Sequence, residues 1–308
     1  MAKDRPSYLN LHESGELRSR AEAAREMLTE CRICPRECRA NRREEGQCYC
    51  GGGEEALVCS ANPHFGEERP LVGRGGSGTI FFAGCNLGCV FCQNYEISHL
   101  RQGREVGAGE LANIMLRLQR QGCENINFVS PSHYVPQILA ALGSAIEGGL
   151  ELPLVYNTGG YDAVSTLRLL EGVIDIYMPD AKYADPEVAG ELSGAPDYPE
   201  VMRAALTEMH RQVGDLQVDD DGVAHRGLLV RHLVLPEGLA GTAEIMQFLA
   251  SLSEDTYVNV MAQYRPCHEA FDHPRISRRI TREEYREAVQ AAFDAGLQRL
   301  DERPLTML

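Results

Sequence analysis

The sequence predicts an α/β fold: an incomplete TIM-type barrel, a partial (βα)6 unit, preceded by a short N-terminal Cys-rich metal-binding segment. Two observations predict this. After Gly78, apolar strand-like runs recur at Thr79–Ala83, Ile126–Val129, Leu154–Tyr156, Ile174–Met178, Leu228–Leu235 and Tyr257–Met261. Amphipathic stretches separate them, the alternation that builds parallel βαβ units with right-handed crossovers. A full barrel of this type has eight strands, so six repeats leave one side open. The second observation is sulfur: nine of the eleven cysteines fall from Cys31 to Cys92, at the front of the chain.

The elements follow in order. Glu16 to Glu30, with Leu17, Ala21, Ala24 and Leu28 on one face, reads as an amphipathic helix. It leads into Cys31-Arg32-Ile33-Cys34-Pro35-Arg36-Glu37-Cys38, with Cys48, Cys50 and Cys59 following across Gly51-Gly52-Gly53. Such a short, turn-rich segment cannot bury much core of its own and is the kind that metal holds together. Cys31, Cys34, Cys38 and Cys48 supply four thiolates for zinc or a second iron–sulfur cluster, and any of Cys48, Cys50 and Cys59 can complete the set. Among the later helices, 109–120 carries Leu111, Ile114, Met115 and Leu118, and 134–146 carries Ile138, Leu139 and Leu142. Asp162 and Thr242 are placed as caps, and Thr281 with Glu284 reads as a capping box opening a final helix. The stretch 185–224 is longer than one crossover needs and has room for a lid or a partner-facing surface. Two units are expected: 1–77, the helix and Cys-rich segment, and 78–308, the partial barrel with its C-terminal helix.

At 308 residues and 44% hydrophobic, the chain can bury a sizeable core. Its formal net charge of −15 argues against nucleic acid as a partner. The basic run Arg275-Ile276-Ser277-Arg278-Arg279 reads as a solvated approach to a helix. No run of 18 apolar residues occurs and Met1 to Pro6 is not a signal peptide, so no membrane association and a cytoplasmic setting are expected. Many cysteines in such a setting point to metal rather than disulfides. Cys123 and Cys267 stand alone and read as buried structural thiols.

The chemistry concentrates at Cys85-Asn86-Leu87-Gly88-Cys89-Val90-Phe91-Cys92, directly after the first strand run. Three thiolates on one loop can hold three irons of a four-iron cluster and leave the fourth without a protein ligand. Closed zinc or iron–sulfur sites use four protein ligands, so the triad predicts an open coordination position. In a parallel barrel functional groups gather where the strands end. The later strand ends carry Ser130 and Ser132 with His133, Asn157 and Thr158, Asp180 and Lys182, Val234, and Gln263 with Tyr264. Asp180 and Lys182, two apart, share a side of an extended strand. They suit either an ion pair or the recognition of a zwitterion.

These residues resemble the radical S-adenosylmethionine superfamily, and within it proteins similar to pyruvate formate-lyase activating enzyme. The resemblance rests on C-x3-C-x2-C after a first strand, Phe91-Cys92-Gln93-Asn94, and the early Cys31-x2-Cys34-Pro35. It implies a [4Fe–4S] cluster on Cys85, Cys89 and Cys92, with S-adenosyl-L-methionine (SAM) chelating the fourth iron. Reductive cleavage of SAM would then give a 5′-deoxyadenosyl radical that abstracts hydrogen from a substrate. Carried over residue by residue, it implies Phe91 beside the adenine, Asn157 and Thr158 at the ribose or methionyl end, an Asp-x-Lys element at Asp180 and Lys182, and Val234 and Gln263 lining the adenine or substrate. The family's Gly-Gly-Glu element at the second strand is absent, and Ser130-Pro131-Ser132-His133 stands there. Extra cysteines lie before the triad, whereas several glycyl-radical activases carry theirs after it.

The leading expectation is therefore a radical SAM oxidoreductase acting on a protein or peptide, including the glycine of a glycyl radical enzyme. A low-potential donor such as flavodoxin or ferredoxin would supply the electron. The alternatives are a radical SAM enzyme acting on a small molecule, and a non-catalytic iron–sulfur electron-transfer protein. Three ligands where a closed carrier would have four argue against the last.

Overall fold

The computed structural model describes residues 5–44 and 48–301. Ten strands make one sheet: β1 Ala56–His64, β2 Ser77–Phe82, β3 Arg104–Val106, β4 Ile126–Val129, β5 Leu154–Thr158, β6 Ile176–Pro179, β7 Gln217–Val218, β8 Ala224–Leu233, β9 Tyr257–Met261 and β10 Arg299–Leu300. Their order is β10-β9-β8-β6-β5-β4-β2-β1-β3, with β7 paired to β8 off this path. The strands from β2 through β4, β5, β6 and β8 to β9 pair parallel throughout. They are the six that the apolar runs predict, in sequential order.

What the sequence does not announce is the antiparallel end of the sheet. β1 pairs antiparallel with β2 and with β3. β1 holds Ser60, Asn62 and Pro63 and only Ala56 and Val58 are buried along it, so its pattern is that of an outer strand. The expected boundary between 77 and 78 falls inside β2, and β1 of the expected first unit belongs to the same sheet. Asn259 Nδ2 on β9 donates to Glu68 Oε1 just before β2, at 2.9 Å, so residues beside the first and last parallel strands meet.

The helices are α1 Tyr8–Glu13, α2 Glu16–Glu26, α3 Arg69–Val72, α4 Tyr95–Ser98, α5 Ala108–Arg120, α6 Val135–Glu147, α7 Val164–Leu169, α8 Pro186–Ser193, α9 Tyr198–Val213, α10 Thr242–Leu252 and α11 Arg282–Asp294. α5 buries Leu111, Ile114, Met115 and Leu118 and packs beside α6, which in turn covers α2. Each fully buried Leu or Ile contributes about 1.5–3 kcal/mol relative to leaving it exposed. α11 opens with the expected capping box, Thr281 accepting from Glu284 N and the Glu284 carboxylate accepting from Thr281 N. The other two expected caps are corrected. Neither Asp162 nor Thr242 is an N-cap residue: α7 starts after Ala163 and α10 after Gly241, without side-chain caps. Asp162 is buried in a hydrogen-bond network and Thr242 Oγ1 pairs with His232 Nε2 at 2.9 Å. Both side chains have stronger buried partners than a helix end. The long stretch after β6 holds α8 and α9.

Candidate active site

β2 is buried on both faces, as a central strand should be, and delivers the chain to the tight turn at Gly84. Gly84 has φ +83°, and a Cβ there would stand 2.2 Å from the Cys50 carbonyl oxygen. Only glycine tolerates both conditions. Beyond it lie Cys85, Cys89 and Cys92, with Cys89 buried and the others half-buried. Donors point at their sulfurs: Leu87 N to Cys85 Sγ at 3.4 Å and Ser98 Oγ to Cys92 Sγ at 3.1 Å. Such donors favour the thiolate and, in an iron–sulfur site, tune its potential.

The loop is held from several sides. Asn86 Nδ2 donates to Tyr161 O at 2.6 Å, and Val90 N donates to Leu192 O at 2.9 Å, on α8. Glu269 N reaches back to Val90 O at 2.9 Å. Arg36, from the Cys-rich segment, donates to the carbonyls of Asn86, Leu87, Ser193 and Gly194. Its guanidinium lies 4.0 Å from the centre of the Tyr49 ring and 5.3 Å from that of Tyr161. This cation–π clamp ties three stretches of chain together.

Burial pushes the Cys85 thiol up to about 11, with Cys89 and Cys92 adding to the rise. Burial likewise raises Cys92, against the bond from Ser98. The three thiols thus share one electrostatic site in a poorly solvated loop. Among the described residues no three His, Cys, Asp or Glu side chains gather as ligands of a single metal ion. A four-iron cluster asks for something different, since each thiolate takes its own iron. Three thiols on one loop, with donors on their sulfurs, fit that group.

The strand ends assemble around this loop. Lys182 Nζ lies 2.6 Å from Asp180 Oδ2, and Arg231 Nε lies 2.7 Å from Asp180 Oδ1. Arg231 Nη2 also donates to Asn157 Oδ1 at 2.7 Å. Burial works against the Asp180 charge, but Arg231 and Lys182 outweigh it and hold its pKa below the usual carboxylate range. Burial also opposes the Lys182 charge; Asp180 and then Cys89 overcome it, so the ammonium is retained. Cys89 is therefore near enough to Lys182 to be felt. Gly159 keeps this space open: a Cβ there would touch Leu87 Cδ2 at 3.5 Å and Lys182 Cε at 3.8 Å.

Behind them is a second network. Ser132 Oγ and Thr158 Oγ1 are 3.0 Å apart, Thr158 Oγ1 donates to Asp162 Oδ2 at 2.6 Å, and Tyr156 donates to Asp162 Oδ1 at 2.9 Å. Ser130, at φ +57°, closes the turn after β4 and its N–H donates to Asn157 O. The structure thus brings Ser130, Ser132, Asn157, Thr158, Asp180 and Lys182 together with the triad's side of the sheet. Phe91 is a core residue, 5% exposed, its ring edge-on to Tyr183 and Tyr264. Val234 is buried, with its N–H on Met261 O. Gln263 is exposed and touches the triad loop through its carbonyl, which accepts from Gln93 Nε2 at 3.0 Å. Cys123 is buried as expected, whereas Cys267 is only half-buried.

Three contributors escape the sequence reading. Arg231 is an arginine inside a strand run, a signal that could have singled it out. Asp162 reads as a cap. Arg36 sits among exposed-looking charges and nothing local marks it. In the Cys-rich segment, Cys31, Cys34, Cys48 and Cys50 are buried while Cys38 is half-buried.

Comparison with known proteins agrees with this architecture. The family model of the radical SAM superfamily matches residues 79–213. The chain is 33% identical over 282 residues to MJ0674 of Methanocaldococcus jannaschii, a protein described as uncharacterized, covering 89% of this chain and 77% of that one. Among solved structures it is similar to a radical SAM methyltransferase from Sphaerobacter thermophilus, with TM-score 0.50 and 17% identity over 73% of this chain. It is also similar to a hexahistidine-tagged anSMEcpe with bound AdoMet, with TM-score 0.44 and 10% identity over 71% of this chain. The chain covers 65% and 58% of those two, less than two thirds of either. A mostly parallel α/β sheet with three cysteines on the loop after its first parallel strand fits an iron–sulfur enzyme. Residues 79–213 place the chain with the radical SAM superfamily. Its cofactors are accordingly a [4Fe–4S] cluster and SAM. Among the described residues no helix is long and apolar enough to cross a membrane.

Proposed function

We propose that this enzyme abstracts hydrogen from a protein or peptide, in the manner of the activating enzymes of glycyl radical proteins, at a cytoplasmic site served by flavodoxin or ferredoxin. One observation carries the reading: the Lys182–Asp180–Arg231 charge set is tied to Asn157, and Lys182 lies within electrostatic reach of Cys89 of the triad. Cys85, Cys89 and Cys92 would hold the cluster. Asp180, Lys182 and Asn157 would form the polar wall that receives the zwitterionic end of SAM, backed by the network of Thr158 and Ser132. When bound, the pair supplies a 5′-deoxyadenosyl radical, a hydrogen-abstracting species.

The protein's own share is positioning and exclusion of water. Asp180 is charged and doubly paired, so Lys182 and Arg231 are fixed in place rather than mobile. Phe91, Tyr183, Tyr198 and Tyr264 are buried around the loop, a largely apolar lining that keeps bulk water from the reacting groups. A polypeptide substrate is supported by the fold: the sheet path ends at β3 and β10 without the two pairing, which leaves the barrel incomplete. Half-buried His99 and His268, with ring centres 4.4 Å apart, and Tyr95 stacked on His268, border the triad loop as a rim for such a segment.

The test is to incubate the reconstituted, reduced enzyme and SAM with glycyl radical proteins of the same cell and search by electron paramagnetic resonance. A glycyl doublet on one partner, absent with the Cys89→Ala enzyme, supports the reading. SAM turnover accelerated by a small metabolite, with no radical on any polypeptide, would move the substrate to the small-molecule class.

A further inference from the structure

The Cys-rich segment holds a group of side chains that the site above does not use. Cys31, Cys48 and Cys50 pack against one another with Cys38 at their edge, and the buried Cys34 is within electrostatic reach of Cys50, Cys31 and Cys38. Cys31, Cys34, Cys48 and Cys50 are 5%, 6%, 6% and 5% exposed. Cys31, Cys48 and Cys50 pack with Leu28 and Ile33 in a small cluster separate from the main core. Four buried thiols around so few apolar side chains are a poor core by themselves.

The second observation is a buried cation. Arg42 is 1% exposed. Its guanidinium donates to two carbonyls, Nε and Nη2 to Gly53 O at 3.2 and 3.0 Å and Nη1 to His133 O at 2.6 Å. Among the described residues no carboxylate lies within ion-pair distance of it. The carbonyls satisfy its donors but not its charge, and a buried charge without a counter-charge is costly. What lies beside it is sulfur: its guanidinium packs on Gly52, whose N–H donates to Cys50 Sγ at 3.4 Å, and its charge reaches the Cys31 thiol.

We propose that Cys31, Cys34, Cys48 and Cys50 bind a second, thiolate-ligated metal centre whose net negative charge is balanced by the buried Arg42. Cys50 takes the place that the sequence spacing gives to Cys38, because Cys50 is buried beside Cys48 with Gly52 N donating to its sulfur at 3.4 Å, whereas Cys38 is half-buried at the edge of the cluster. Binding replaces four thiol protons, released to solvent, with one centre; no electron is transferred. The four thiols do not yet stand as ligands of a single ion. Zinc and an iron–sulfur cluster share the donor chemistry.

The position gives the centre a role. The Cys50 carbonyl packs on Gly84, Tyr49 donates its hydroxyl to Leu87 O at 3.3 Å, and Arg36 grips Asn86 and Leu87. A metal that fixes residues 31–50 therefore also fixes the backbone that presents Cys85 and Cys89.

The test separates this centre from the triad. The full chain with Cys85, Cys89 and Cys92 all replaced by alanine is loaded anaerobically, once with zinc alone and once with iron and sulfide. It should retain about one zinc or about four irons per chain. Adding Cys34→Ala or Cys50→Ala should remove at least about nine tenths of it, while Cys59→Ala should not. Should those variants fail to fold, alkylation of the loaded triad-free chain decides: mass spectrometry should find Cys31, Cys34, Cys48 and Cys50 protected and the exposed Cys59 modified. Absence of metal under both loadings, or equal alkylation of all five thiols, overturns the proposal. So does loss of metal in Cys59→Ala to the same extent as in Cys50→Ala. None of these results depends on radical chemistry at the triad.

Discussion

The carbonyl oxygen of Cys50 lies where a side chain on Gly84 would have to go, 2.2 Å from its Cβ position. The Cys-rich segment and the triad loop are thus in contact at the residue that precedes Cys85. Gly84→Ala adds this collision to a left-handed φ of +83°, and the second alone costs about 1–2 kcal/mol. The variant should keep its helical far-ultraviolet spectrum but take up less than about half the triad's iron. Normal iron content and normal SAM cleavage in this variant would show that the contact is dispensable.

Arg231 is the structural partner that Asp180 cannot lose. Arg231→Leu leaves a buried carboxylate with Lys182 alone, and breaking a buried pair in this way costs about 3–5 kcal/mol. Asp180→Asn with Arg231→Leu should recover a substantial part of that stability without recovering SAM binding. Denaturant titration and SAM binding, measured on the same samples, distinguish the two effects.

His232 gives the fold a pH signature. It is fully buried between Ala181 O, at 2.7 Å from Nδ1, and Thr242 Oγ1, at 2.9 Å from Nε2. Burial pushes its pKa down to about 4, against about 6.5 in an unfolded chain. Between those values the unfolded chain binds a proton that the folded one does not. Stability from this group is therefore complete above about pH 6.5 and falls as pH drops, by about 3 kcal/mol at pH 4. The wild type should lose that much more than His232→Gln over the same range, measured by urea unfolding at each pH.

At α11 the prediction is purely one of stability. Glu284 accepts from Thr281 N at 2.7 Å and is ion-paired with Arg278 at 2.7 Å. Thr281→Ala should lower stability by about 1 kcal/mol and leave SAM cleavage unchanged, since the capping box lies outside the polar wall. A fall in turnover with no fall in melting temperature would contradict that separation.

The parts of this molecule that are legible in its sequence are those written in local patterns. Periodicity locates the six parallel strands because each is a short, buried apolar run, and Thr281 and Glu284 declare a helix start at fixed spacing. The triad is legible because three thiols on one loop are rare chemistry. Partners far apart in the chain are not: Asp162 carries no mark that it will meet Tyr156 and Thr158 rather than cap a helix, and Arg36 none that it will span residues 86 and 194. β1 escapes because its polar residues and Pro63 hide an outer strand. Cys38 and Cys50 are equally good thiols on paper, and only burial tells them apart.

The central claim is that Cys85, Cys89 and Cys92, with the charge set at Asp180, Lys182 and Arg231, form a site for reductive SAM cleavage. The most direct measurement is 5′-deoxyadenosine formed from SAM by the anaerobically reconstituted, reduced chain, beside Cys89→Ala and Lys182→Met. The account predicts product from the wild type, none from Cys89→Ala, and at least about a tenfold reduction in Lys182→Met, as for loss of a charged contact of about 1.4 kcal/mol or more. A wild type carrying a full triad cluster that forms no 5′-deoxyadenosine, or a Cys89→Ala chain that forms as much as the wild type, would contradict it.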